Sequence, residues 1–145
     1  MKKITTPAVK RYKLQPMPLD PEDILGGNPR AKGEIIFTSK DKKFSLGIWE
    51  CSAGKFLYAY QEDEICYILE GRAKIKSRSG VLSIKGGDLV IFSKGEETIW
   101  NIERKIRNAS IMVFLAPKTI GVLLSLLSLS YFISMVMAIA CIPEM

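Results

Sequence analysis

The chain has 145 residues, of which 48% are hydrophobic and 25% charged, with a formal net charge of +6. This balance suits one folded domain with a short appendage and excludes intrinsic disorder. Three widely spaced cysteines (Cys51, Cys66 and Cys141) exclude a disulfide framework and a Cys-x-x-Cys zinc site, and the lack of any histidine excludes Ser-His-Asp and Cys-His catalysis.

Residues 1–30 hold Pro7, Pro16, Pro18, Pro21 and Pro29. They read as an extended arm with at most a short helical turn, because each proline removes a backbone donor. Met1 to Leu19 is basic but has no apolar segment, so it does not read as a secretory signal. The domain that follows is expected in a reducing, cytosol-like compartment. Gly26-Gly27-Asn28 precedes no helix signal and is not a phosphate loop.

From Glu34 to Leu115 the pattern is one of short strands and turns. Predicted strands are Glu34–Thr38, Phe44–Cys51, Phe56–Tyr60, Ile65–Glu70, Arg72–Ser77, Val81–Ile84, Leu89–Phe92, Thr98–Ile102 and Ser110–Leu115. Turn material separates them at Asp41-Lys42-Lys43, Ser52-Ala53-Gly54, Ser79-Gly80, Gly86-Gly87-Asp88 and Lys94-Gly95. Eight or nine strands in about eighty residues predict an all-β jelly-roll sandwich or barrel, assigned to residues 31–116. Within it Arg72, Lys74, Lys76 and Arg78 alternate with Ala73, Ile75 and Ser77, which puts a row of cations on one face. No aromatic residue is interleaved to stack a base, so the row reads as the wet side of a sheet and no nucleic-acid partner is expected.

Charge almost stops at Pro117, with only Lys118 and Glu144 beyond it. Residues 117–145 form a hydrophobic tail, and Ile120 to Ile142 is uncharged. As a helix this run spans about 34 Å, against about 30 Å for a bilayer's hydrocarbon core. Its small or amphipathic groups (Gly121, Ser125, Ser128, Ser130, Tyr131 and Ser134) are ones a membrane helix accepts. The expectation is a C-terminal transmembrane helix over residues 120–142. Arg104, Lys105, Arg107 and Lys118 on its N-terminal side would hold the globular domain in the cytosol. A soluble cytoplasmic protein with a soluble or aberrant tail is the competing reading.

The stretch Glu-Ile-Cys-Tyr-Ile-Leu-Glu-Gly, residues 64–71, alternates so that Glu64, Cys66 and Ile68 share one face and Ile65, Tyr67 and Leu69 the other. Both faces are largely apolar. That predicts a strand covered twice, by the barrel interior on one side and by a second sheet or a second subunit on the other.

This stretch belongs to a wider set of motifs: Gly47-Ile-Trp-Glu-Cys, Gly54, Glu62 to Arg72, Gly86-Gly-Asp-Leu-Val-Ile-Phe, Lys94-Gly95 and Thr98-Ile-Trp. Together they resemble the two motif regions of the cupin superfamily. The resemblance is to the small single-domain cupins similar to the (S)-ureidoglycine aminohydrolase cupin domain and the ethanolamine-utilisation cupin, and it runs from Asp23 to Phe114. It implies a cupin-type double-stranded jelly-roll barrel, carrying here an N-terminal arm and a C-terminal hydrophobic helix, and a homodimer as the default assembly.

In metal-binding cupins a His-x-His pair precedes the motif glutamate and a third histidine follows the second motif. Those positions are Tyr58, Tyr60 and Thr98 in this chain, and Ser93 stands where proline is usual. A tyrosine ligand must lose a proton whose reference pKa is about 10, and threonine is a poor ligand, so neither a metal nor another cofactor is expected. A carboxylate facing the barrel interior needs donors. The hydroxyls of Tyr58, Tyr60 and Thr98 are expected to supply them to Glu64.

The resemblance sets Trp49 and Trp100 at the barrel mouth or interior, and alternation puts Cys66 beside Glu64 as a small buried hydrophobe. The predicted ligand-binding residues are therefore Trp49, Tyr58, Tyr60, Glu64, Cys66, Thr98 and Trp100. Glu64 is the candidate general base, and the partner is a small polar metabolite. Three functions stay open: a metal-free binder of that metabolite, a ureidoglycine aminohydrolase-like enzyme acting on a ureido or amino compound, and a non-catalytic scaffold attached to a membrane.

Overall fold

The computed structural model describes residues 8, 9 and 11–114 of the chain. Nine strands are present among them: β1 (Gln15–Pro16), β2 (Ile24–Gly27), β3 (Ala31–Thr38), β4 (Phe44–Cys51), β5 (Gly54–Ala59), β6 (Asp63–Ser77), β7 (Gly80–Lys85), β8 (Leu89–Phe92) and β9 (Glu97–Val113). The one helical element is a 3-10 turn, Pro21–Asp23, whose cap residue Asp20 accepts a hydrogen bond from the Glu22 amide at 3.0 Å. The predicted transmembrane helix over 120–142, and with it the tail 117–145, lies outside the described residues. Among the described residues no helix is long and apolar enough to cross a membrane.

All strand pairs are antiparallel, and β6 and β9 form the long ribbon at the centre of the fold. Over Asp63–Ile68 and Asn108–Val113 this ribbon is flanked by β8 on one side and β4, β3 and β1 on the other. Over Arg72–Lys76 and Ile99–Arg104 it is flanked by β7 and by β5 with β2. The two halves meet where the register slips at Ile68/Glu70 and again at Glu70/Arg72. Such bulges bend and twist a strand, and here they curl one continuous sheet so that its inner faces oppose each other.

The apolar side chains fill the space between these faces. Cys66, Ile68, Val90 and Phe92 come from one half, and Phe56, Ala73, Ile75, Ile84, Trp100 and Ile102 from the other. Alternation sets this pattern, since period two sends every second residue inward. Along β6 Ala73 and Ile75 are buried while Arg72, Lys74 and Lys76 are exposed, as the sequence pattern predicts. Arg72 and Lys74 both pair with Glu103 of β9, at 3.0 and 3.2 Å.

Two pairs of predicted strands are single strands in the fold. Ile65–Glu70 and Arg72–Ser77 join as β6, and Thr98–Ile102 and Ser110–Leu115 join as β9. The predicted strands leave 103–109 between them, but in β9 Glu103, Arg104 and Lys105 are exposed and the buried Arg107 finds a partner. The Arg107 side chain, 8% exposed, pairs with Glu50 at 2.9 Å and donates to the carbonyls of Val9 and Tyr12. That clamp holds the N-terminal segment on the barrel, where β1 then pairs with β3. The hairpin between β6 and β7 turns at Arg78-Ser79, one residue earlier than the predicted Ser79-Gly80.

Among the described residues the inner face of β6 is covered, as expected, and no second sheet packs on the outer one. Tyr67 is 48% exposed, and the cross-strand row Ile91, Ile65, Ile111, Leu46 and Phe37 lies on the outside with no element over it.

Candidate functional site

A cavity of about 280 Å³ opens on the inner face, walled by β4, β5, β6 and β9 and by the segment Met17–Asp20. Such a volume lies near the lower end of small-molecule sites, which run from roughly 300 to 1,000 Å³. Six of the seven predicted site residues line it: Trp49, Tyr58, Tyr60, Glu64, Cys66 and Trp100. Five of them sit at inward positions of their strands and Tyr60 follows β5 directly, so the alternation that builds the core also builds the site.

The aromatic side chains form a connected wall. Trp49 meets Trp100 edge-on with centroids 6.0 Å apart, and Phe56 stacks on Trp100 at 6.3 Å. Tyr60 stacks on Phe92 at 4.2 Å and meets Tyr58 edge-on at 4.9 Å. Trp100 and Tyr60 are buried, whereas Tyr58 stands 44% exposed at the rim.

Glu64 is half-buried, and its hydrogen bond differs from the expected one. Among the described residues its carboxylate accepts from the Cys66 thiol, Sγ to Oε1 at 3.2 Å, and neither tyrosine hydroxyl bonds to it. The phenols stay close enough to feel its charge. Burial chiefly raises the pKa of both Tyr58 and Tyr60, and the Glu64 carboxylate adds to the rise. Burial likewise raises the Cys66 thiol far above its ordinary value, with the neighbouring Glu64 charge second. Cys66 is thus a protonated donor near neutral pH rather than a nucleophile.

Thr98 is a correction. It is buried, but its Oγ1 donates to the Tyr58 carbonyl at 2.9 Å, and it lines a different hollow with Ile75 and Phe92. The adjacent strand supplies the acceptor, so the hydroxyl is already spent on the β5–β9 pair.

The sequence reading missed Asn108 of β9. It lies opposite Trp49 on β4 and Ile68 on β6, is 3% exposed, and lines the cavity. Its Oδ1 is buried without a hydrogen-bond partner among the described residues. Extending the alternation of Ser110 and Met112 backwards along the chain points to this position, but the strand had been predicted to start only at Ser110. Three acidic residues with side chains on this side line the cavity (Asp20, Asp23 and Glu64), and among the described residues no lysine or arginine does.

Residues 38–109 match the EutQ-like cupin domain family. The chain carries a cupin domain. The cupin domain is similar in fold to the EutQ protein of Clostridium difficile, at 19% identity and a TM-score of 0.60 over 76% of this chain and 86% of that one. It is also similar to the cupin domain of Schizosaccharomyces pombe Cnp3, at 14% identity and a TM-score of 0.59 over 78% and 76%. A protein of unknown function from Pseudomonas syringae pv. tomato aligns at 20% identity and a TM-score of 0.65, over 72% of this chain but only 46% of its own. No curated protein matches the sequence. At these identities the likeness concerns the fold, which hosts many chemistries.

The donor set of this cupin domain does not fit a transition metal. A thiol and two phenols must all lose protons to serve as ligands, and burial pushes each of those pKa values up. Thr98, at the position of the third histidine, lines another hollow. Among the described residues no cluster of three or more histidine, cysteine or acidic side chains is placed to hold an ion.

Proposed function

We propose that this EutQ-like cupin protein binds a small polar metabolite, without a metal, in the cavity around Glu64. The observation that carries this reading is the Asn108 Oδ1, buried in the cavity wall with no hydrogen-bond partner among the described residues. A polar network that merely pinned the barrel would be satisfied, because a buried acceptor left unmade costs about 1–3 kcal/mol. A ligand donor offsets that cost on binding. The apolar, aromatic wall with few converging polar groups supports the same reading. An enzyme of the ureidoglycine type draws no separate support from the site, whose thiol is held protonated.

The test is a thermal-shift screen of cationic, neutral and anionic polar metabolites on the wild type and on Glu64→Gln. A ligand at a hundred times its Kd adds about 2.7 kcal/mol, a Tm rise on the order of 10 °C for a domain of this size. The reading requires at least one compound whose stabilisation is lost in Glu64→Gln. A screen with no hits, or hits indifferent to the substitution, refutes it.

For assembly we infer a homodimer through the outer face. Five strands contribute one apolar row there (Ile91, Ile65, Ile111, Leu46 and Phe37), in which Ile91 is 70% and Phe37 51% exposed. An uncharged row of this kind is complementary to its own copy across a two-fold axis, which is the commonest form of oligomer.

A further inference from the structure

We propose that the ligand is a small organic cation with two hydrogen-bonding ends, an ammonium or guanidinium at Glu64 and a second N–H or O–H donor at Asn108. This rests on the binding reading above and narrows it to one charge class. The chain carries a net charge of +6, yet its cavity is lined by Asp20, Asp23 and Glu64 and, among the described residues, by no cationic side chain. None of these three carboxylates forms an ion pair with a described residue. Local charge is therefore inverted at the one place where the aromatic faces of Trp49, Tyr58 and Trp100 converge. Carboxylate beside aromatic ring favours a cation twice, through Coulomb attraction and through the negative ring face.

Asn108 supplies the independent observation. Its Oδ1 is an acceptor buried in the same cavity with no hydrogen-bond partner among the described residues. The registers fix how far apart the two anchors lie. Glu64 pairs with Met112 and Ile68 with Asn108, so the anchors are four residues apart along β6, about 13 Å of strand. One ammonium cannot serve both. The ligand must bridge them with a short apolar segment, passing Cys66 and Ser110 in the intervening row.

The two tryptophans of the chain, Trp49 and Trp100, both line the cavity, so intrinsic fluorescence reads occupancy directly. The experiment titrates the full-length protein with 4-amino-1-butanol, n-butylamine, 1,4-butanediol and butyrate. The expected order places 4-amino-1-butanol first and n-butylamine second, with the neutral and anionic compounds at least about tenfold weaker. Glu64→Gln should weaken both amines about tenfold or more. Asn108→Leu should weaken 4-amino-1-butanol about tenfold and n-butylamine less than twofold. A fold check on both variants is a Tm no lower than a few degrees below wild type. If the diol or butyrate binds as well as the amines and depends on Glu64, the cation assignment falls while the binding site stands. If neither amine binds by 10 mM, on the order of −2.7 kcal/mol, the cation assignment is overturned. The wider thermal-shift screen then decides the binding reading separately.

Discussion

Gly71 is the most constrained position in the fold, and substituting it tests how the barrel is closed. Its φ is +96°, and a Cβ built there would sit 2.1 Å from the Lys105 carbonyl oxygen and 2.5 Å from the Ile106 Cα, both backbone atoms of β9. No side-chain rotation relieves that clash, so β6 and β9 must separate where the sheet curls. Gly87 provides the control, with the same φ of +96° and nothing within 4 Å of the added carbon. The backbone term alone is about 1–2 kcal/mol, and displacing packed structure adds about 1–3 kcal/mol. Gly87→Ala should therefore lose about 1–2 kcal/mol and Gly71→Ala about 2–5 kcal/mol, the latter a fall of roughly 10–30 °C in Tm. Urea unfolding followed by tryptophan fluorescence gives both values if the transition is two-state. Equal losses within about 0.5 kcal/mol, the limit at which such differences are resolved, would show that only the φ angle matters and that the ribbon has room at Gly71.

Arg107→Met leaves Glu50 with only the longer 3.5 Å pair to Lys105 and frees the carbonyls of Val9 and Tyr12. The expected loss is about 3–5 kcal/mol, with faster tryptic cleavage at Arg11 and Lys13; unchanged cleavage would rule out the clamp. Burial chiefly, with the Glu50 charge second, pushes the Cys51 thiol up to about 12, and Cys66 is raised as well. Unfolded thiols titrate near 8.5, so above that pH the unfolded chain has lost protons that the native one keeps. Stability should be full below about pH 8.5 and fall by about 1.4 kcal/mol per pH unit per thiol as pH rises toward the folded value. A Tm series between pH 7 and 10.5 should show a shallower decline for Cys51→Ala, and an identical decline refutes the assignment. Ile111→Glu puts a charge in the middle of the outer apolar row and should convert a dimer to a monomer in sedimentation equilibrium, with binding in the cavity intact. A wild type that sediments as a monomer at every concentration defeats that proposal.

Local pattern was enough to find most of the barrel. Alternation marks β4 and β8 to the residue and sets Glu64 and Cys66 on one face of their strand, because period two is a property of the strand itself. It was the family resemblance that set Trp49 and Trp100 at the barrel mouth or interior. Curling the sheet was not visible locally, since it depends on the register slips between Ile68 and Arg72 that pair β6 with two different parts of β9. The fate of each hydroxyl and carboxylate depended on which atoms come near across the barrel. Thr98 bonds the Tyr58 carbonyl 40 residues away, Cys66 rather than a phenol bonds Glu64, and Arg107 reaches back to Val9 and Tyr12. Asn108 falls between two predicted strands, and the partner that Arg107 gains lets β9 run through and turns Asn108 inward. The acidic lining gathers Asp20 and Asp23 of the 3-10 turn with Glu64 of β6, and long-range electrostatics of that kind exists only once the chain has folded.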